Sequence, residues 1–303
     1  DGGSAPASGR LASPQSTETT QPRSREAQLR QAPRVTIASQ ALHGSIRLRG
    51  LRFDDLTLAR YHEEPDPSSP EVTLLSPRRR GDGSYASFGW VGEGVETPDA
   101  RTRWKASHAK LTPNQPVTFH WTNKAGVRFE QTVAMDEDYM FTITRRVIHR
   151  GEDALTIAPY SLINRTVNEE VQHPFILHIG PLGVRDDMLS EYDYGELREE
   201  TISHEQRRGW AGITDKHWLT ALVPEQAGDV DRTTTYQHYQ SGPDHRYQID
   251  MMAPARRLTP GATLEVTTRL FAGAKEVEQL DAYSDAYDIP LFDRAVDFGS
   301  LYF

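Results

Sequence analysis

Cysteine is absent from all 303 residues, which excludes disulfides, thiol catalysis and thiolate metal sites. Long apolar runs are absent too: no window reaches the roughly 18 residues that a bilayer-crossing helix needs. The most apolar long window, Val171 to Val184, is broken by His173, Pro174, His178, Gly180, Pro181 and Gly183. There is no basic excess. The net charge of −9 excludes a phosphate-binding face and, with it, nucleic acid as a partner. The Arg78-Arg79-Arg80 run, followed by Gly81-Asp82-Gly83, reads as a solvated loop. Catalytic signatures are missing as well: no HExxH, no GxSxG, no P-loop, no GxGxxG after a strand. No signal peptide opens the chain, and a polar start at Asp1 is what remains when a signal or anchor has been removed.

What is present is enough to build a core. Apolar residues make up 37%, with 5 Trp, 12 Tyr and 10 Phe. Residues 1–32 stand apart, rich in Ser, Thr, Gln, Ala, Pro and Arg, with Leu11 and Leu29 almost alone as aliphatics. Such a segment buries too little surface to offset its ordering entropy, so it is expected to be a disordered linker.

From Pro33 the texture becomes short alternating runs, the mark of half-buried antiparallel strands. Arg34–Ile37, Ser45–Arg49, Asp54–Leu58 and Tyr85–Val91 read this way, and Val72–Pro77 reads as a strand ended by its proline. Val117–Thr122, the turn Asn123-Lys124-Ala125-Gly126 and Val127–Val133 form a hairpin signature. Tyr139–His149, Leu155–Arg165, Phe175–Ile179, Trp210–Val223, Thr233–Tyr239, Arg246–Met252 and Leu264–Ala272 complete the set. Turns recur about every dozen residues and no strand–helix alternation appears. The fold class is therefore mostly β, a large antiparallel sandwich over 33–273.

Helical periodicity is confined to 274–303. Val277, Leu280, Tyr283 or Ser284, and Tyr287 recur at three-to-four spacing. In the last stretch Leu291, Phe292, Ala295, Val296, Phe298, Tyr302 and Phe303 share one face, with Asp288 placed to cap it and Pro290 in its first turn. Two short amphipathic helices follow. Seven acids against two bases between Ala274 and Phe303 read as their solvated face, or as a surface for a basic partner. The apolar ending fits a helix docked on the domain, and also a chain that continues into something apolar such as a membrane span.

Few residues offer chemistry. Asp215 and His217, two apart, would share a strand face as an acid–base pair, though a turn with a satisfied histidine is the default. Glu170 and His173 are a second such pair. Trp210 and Trp218 flank the first pair and complete a possible cleft of Trp210, Asp215, His217 and Trp218; core packing is the ordinary use of each tryptophan. No cofactor or metal is expected. On the residues alone, a carbohydrate-binding or aldose-epimerase-like sandwich is a second reading beside a non-enzymatic one.

Three groups of motifs carry a resemblance. Gly209-Trp210-Ala211-Gly212-Ile213-Thr214-Asp215-Lys216-His217-Trp218 runs on to Pro224. Gly44–Gly50, Phe53-Asp54-Asp55-Leu56, Val72–Pro77 and Phe88-Gly89-Trp90 precede it. Phe271-Ala272-Gly273-Ala274-Lys275-Glu276-Val277 and Phe292–Gly299 follow. Together and in this order, over about Arg34 to Phe303, they resemble the large periplasmic domain of the YidC/Oxa/Alb insertase family. Ser300 departs from that family, in which a bulky aromatic often precedes Leu-Tyr-Phe. The resemblance implies a twisted super-sandwich of galactose-mutarotase type. It also implies no catalysis and a place in the periplasm, on a bacterial inner-membrane protein. The function implied is to support insertion and folding of nascent inner-membrane proteins, alone or with the Sec translocon. SecDF-YajC and the protein's own transmembrane core are the implied partners. Leu291, Phe292, Ala295, Val296, Phe298 and Tyr302 would form the membrane-proximal interface. A chaperone-like cleft for extended peptides fits within that function.

Overall fold

A computed structural model describes residues 12–14, 24–79, 82–167, 178–228 and 230–296. In chain order its elements begin with helix α1 (Arg25–Leu29), then β1 (Arg34–Ala38), β2 (Leu42–Arg47), β3 (Arg52–His62), β4 (Glu71–Arg79) and β5 (Asp82–Glu93). Next are β6 (Lys105–Ala106), β7 (Lys110–Leu111), β8 (Val117–Thr122), β9 (Val127–Met135), β10 (Met140–His149) and β11 (Leu155–Thr166). Then come β12 (Gly180–Arg185), β13 (Met188–Glu191), α2 (Tyr194–Glu199), β14 (Ile202–Gln206), β15 (Gly209–Thr214) and β16 (Trp218–Pro224). The chain closes with β17 (Arg232–Ser241), β18 (Asp244–Met252), β19 (Arg256–Leu258), β20 (Thr263–Ala274), α3 (Val277–Tyr287) and a 3-10 turn, Phe292–Ala295.

The strands form two sheets. The first has 11 strands, in the order β14-β17-β18-β11-β5-β4-β3-β2-β1-β7, with β19 pairing β11. The second has 9, in the order β13-β12-β15-β16-β20-β10-β9-β8-β6. Among the described residues all strand pairings are antiparallel except the short β1–β7 contact. The expected mostly-β super-sandwich is what the chain forms. Alternation explains it: along β9, Val127, Phe129, Gln131, Val133 and Met135 are buried, while Arg128, Glu130, Thr132 and Ala134 reach the surface. Register then stacks Val133 on Ile143 and Phe129 on Val147, and one continuous apolar core lies between the sheets.

A cation is buried in that core. Arg145, on β10 of the second sheet, is 2% exposed. It crosses to the first sheet, donating to the carbonyls of Gly89 (3.1 Å) and Tyr160, and to Ser161 Oγ (3.2 Å); Thr268 Oγ1 accepts at 2.8 Å. Burial pulls its guanidinium pKa down to about 10.

Several boundaries differ from expectation, each for a local reason. β4 does not end at Pro77; its pairing with β5 slips between Ser76 and Arg79, and the irregularity accommodates a residue with no N–H. Arg79 therefore pairs with Asp82 and lies in a strand, not a loop. The run Trp210–Val223 is two strands, β15 and β16, joined by a turn at 215–217. Residues 175–177 of the expected strand Phe175–Ile179 lie outside the described residues, and β12 begins only at Gly180. Helices α1 and α2 were too short to show as periodicity. Most of the 1–32 segment lies outside the described residues, but Arg25 of α1 forms an ion pair with Asp55.

Candidate functional site

The C-terminal segment begins where β20 ends, and the local sequence dictates how close it can come. A Cβ on Gly273 would stand 2.2 Å from Cγ of Tyr139, so only glycine lets the Tyr139 ring lie flat against β20. Tyr139 then reaches α3: its hydroxyl donates to Glu276 Oε1 at 3.0 Å, and Tyr61 on β3 donates to the same oxygen at 2.9 Å. Glu276 precedes the first turn of α3 yet makes no capping bond; its carboxylate serves the two tyrosines instead. Proximity to that carboxylate and burial both push the Tyr61 and Tyr139 hydroxyls above the ordinary tyrosine range, burial contributing most.

Two turns further, Tyr283 donates to Asp136 Oδ2 at 2.6 Å and accepts from the backbone N–H of Tyr139 at 3.2 Å. Asp136 also accepts from the N–H groups of Asp138 (3.0 Å) and Met140 (3.1 Å). Burial raises its pKa despite these bonds. Of the expected apolar face of α3, Leu280 and Tyr283 are buried, whereas Val277 is exposed.

Helix α3 stops at Asp288, which adopts the left-handed conformation at φ 52°. Arg208 holds it there through an ion pair of 2.9 Å. Ser284 Oγ donates to the carbonyl of Ile289 at 2.7 Å. Leu291 is left-handed as well, at φ 51°. A branched aliphatic pays roughly 1–2 kcal/mol for that conformation and keeps it only where its surroundings impose it. They do: the indole N–H of Trp210 donates to the carbonyl of Pro290 at 3.0 Å, and Phe292 stands edge-on to Trp210 (5.3 Å, 86°) and to Phe271 (5.4 Å, 89°). Phe271 also meets Tyr139 and Tyr283 edge-on. Gly209 sets the position of Trp210. Its φ of 126° brings the backbone so near Val184 that a Cβ would lie 1.8 Å from the Val184 carbonyl, and Gln226 brackets it with bonds of 2.8 and 2.9 Å.

These findings revise the site residues. Asp288 does not begin a terminal helix; it ends α3. The stretch from Leu291 is a single 3-10 turn that leaves into extended backbone at Val296, not a continuous α-helix over the described residues. Phe292 and Ala295 are buried in the domain's own core and anchor the segment. Leu291 and Val296 pack half-buried against the same core. Phe298 and Tyr302 lie outside the described residues. Trp210 is wholly buried and belongs to this anchor, not to an open cleft. Asp215 and His217 do not form an acid–base pair: both sit in the β15–β16 turn, Asp215 is bound by Arg165 at 2.8 Å, and His217 is exposed. Glu170 and His173 lie outside the described residues. Trp218 and His217 instead line a surface cleft of about 480 Å³ beside Val296, with Tyr61 edge-on to Trp218 at 5.0 Å. Among the described residues no group of three metal-ligating side chains converges, and no helix is long and apolar enough to cross a membrane.

The residues that sequence reasoning missed are Phe271, Gly273, Glu276, Tyr139 and Tyr283. Three of them lie in the motif Phe271–Val277, so the signal was present as a pattern without its geometry.

The family described as YidC periplasmic domain matches residues 34–303. The chain belongs to the YidC periplasmic-domain family. The membrane protein insertase YidC of Rickettsia bellii is 41% identical over 276 residues, covering 90% of this chain and 49% of that protein. YidC of Rickettsia felis is 39% identical over 273 residues, covering 89% and 48%. The chain thus spans about half the length of the curated relatives it matches. Among solved structures, a galactose mutarotase related enzyme from Lactobacillus acidophilus superposes with a TM-score of 0.51 at 9% identity, covering 79% of this chain and 97% of that one. That likeness is one of fold. Within this YidC periplasmic domain, Trp210, Phe271 and Phe292 meet in a collar around the C-terminal segment.

Proposed function

We propose that the chain is the periplasmic portion of an inner-membrane protein insertase and works as a non-catalytic scaffold and docking module. It supports insertion and folding of nascent inner-membrane proteins, alone or with the Sec translocon, with SecDF-YajC among its partners. The observation that carries this reading is the collar. Trp210, Phe271, Glu276 and Phe292 clamp the segment 276–296 onto the second sheet, so whatever follows Val296 leaves the domain from a fixed point. A rigid exit of this kind couples the sandwich mechanically to the transmembrane core that the longer relatives' length accommodates. Burial of Phe292 alone is worth roughly 1.5–3 kcal/mol, enough to keep the segment docked most of the time.

The test is made in the full-length protein. Removing residues 291–303 is expected to impair insertion of client proteins far more than removing the exposed 64–69 loop. Equal tolerance of the two deletions overturns the reading.

A further inference from the structure

The outer face of the first sheet, away from the sandwich core, carries a separate cleft of about 480 Å³. Its floor is a small apolar cluster of Tyr85 on β5 with Tyr160 and Leu162 on β11. Register puts them there: Ser87 pairs with Leu162 and Gly89 with Tyr160, so these positions share a face, while Phe88 belongs to the main core. The loop carrying Pro98 and Trp104 forms one wall. Arg52 closes the rim, its guanidinium 4.7 Å above the Tyr85 ring.

Beside this floor runs a polar stripe on the same face. Asp250 pairs opposite Leu162, and Gln248 opposite Asn164. Gln237 donates to Asp250 at 2.9 Å, and Asn164 donates to Tyr239 Oη at 2.9 Å. Asn164 and Gln248 are both 0% exposed, although they stand on the sheet face opposite the main core. Asn164 Oδ1 has no hydrogen-bond partner among the described residues. Buried amides on an outer face, one acceptor unused, are built to bind hydrogen-bonding groups that arrive from outside the sheet. Residues 12–14 already do so. Pro14 lines the cleft, its carbonyl accepts from Gln248 Nε2 at 3.5 Å, and the Ser13 hydroxyl faces the Asp250 carboxylate and favours its charged form.

We propose that this face is a docking site for a short extended peptide in which a small hydroxyl residue precedes proline, and that Ser13-Pro14 of the same chain is its resident occupant. The chemistry is complementary. Proline is extended in advance, has no N–H to satisfy and suits an aromatic floor, while the amide and carboxylate side chains take the backbone carbonyl and the hydroxyl. Because the occupant is tethered, it acts at an effective concentration near the millimolar range. A free segment of the same chemistry enters only by displacing it. The inference is independent of the insertase reading.

The absence of native cysteine allows a direct test in the whole chain. The Ser13→Cys/Asp250→Cys pair is expected to close a disulfide on air oxidation, and the Ser13→Cys/Thr118→Cys control, with its second thiol on the other sheet, is not. In parallel, a fluorescent peptide of residues 9–17 is titrated by polarisation. It is expected to bind the Ser13→Gly/Pro14→Gly variant at least about fivefold more tightly than the parent, and to lose that binding when Leu162→Asp is added. The substitutions at 13 and 14 lie outside the core, and thermal melting of each protein checks that the fold is kept. Equal peptide affinity for parent and variant, cross-linking no greater than the control, or a cleft that takes galactose and ignores the peptide each overturn the proposal.

Discussion

The indole N–H of Trp210 and the carbonyl of Pro290, 80 residues apart in sequence, meet at 3.0 Å. This bond and the edge-on packing of Phe292 on the same indole hold a left-handed Leu291 in place. Trp210→Phe removes the hydrogen bond together with part of the buried indole and is expected to cost about 1–3 kcal/mol. Phe292→Ala opens a cavity and is expected to cost about 3–5 kcal/mol. Urea unfolding of the two single variants and the double variant is expected to give a coupling energy of about 0.5 kcal/mol or more, and simple additivity would contradict the contact.

Glu276 is the acceptor for two tyrosine hydroxyls at once. Glu276→Leu leaves both hydroxyls without their acceptor, at about 1–3 kcal/mol for each one that water cannot reach. The loss is local: amide exchange in α3 is expected to speed up while β9 and β10 keep their protection. Uniform acceleration throughout the domain would show that Glu276 has no special hold on α3.

Asp136 makes stability depend on pH in a stated direction. Burial raises its native pKa above the unfolded value, so the folded state takes up the proton first. The cost of keeping it ionised is present above the native pKa and is relieved as pH falls towards the ordinary aspartate range near ~4. Relative to Asp136→Asn, the parent is therefore expected to gain stability between neutral pH and pH ~4. Denaturant midpoints of the two proteins across that range are the check; a parent that loses ground on acidification contradicts the assignment.

Gly273→Ala tests the close approach of Tyr139. The added methyl would sit within 2.2–2.5 Å of the Tyr139 ring, so the ring must leave its place against β20. An overpacking cost of about 1–3 kcal/mol is expected, together with a shift of the Tyr139–Glu276 contact visible in the NMR signals of α3. Unchanged signals would mean that the ring has room the geometry denies it.

Strands were legible where one face is buried and the other wet. Val117–Thr122 and Val127–Val133 alternate cleanly and form β8 and most of β9 as expected. Legibility failed where both faces are covered: along β15, β16 and the middle of β11 nearly every residue is buried, so no alternation marks the turn at 215–217. The terminal stretch was half legible. Its apolar spacing marked Phe292 and Ala295 as inward-facing, but a 3.6-residue period cannot reveal a left-handed Leu291, which tertiary contacts impose. Trp210 was singled out for the wrong reason. Its sequence neighbours suggested a cleft with Asp215 and His217, whereas its partners, Pro290 and Phe292, are far away in the chain and invisible to any local pattern.

The docked collar is tested most directly by point variants in the full-length protein, assayed for client insertion in cells or reconstituted membranes. Loosening the clamp with Phe292→Ala, at an expression level and sandwich fold matched to the parent, is expected to lower insertion clearly, while the matching truncation of a buried core residue far from the collar, Phe119→Ala, leaves it near parental. Insertion that falls equally in both variants, or in neither, would contradict a function carried by the docked collar.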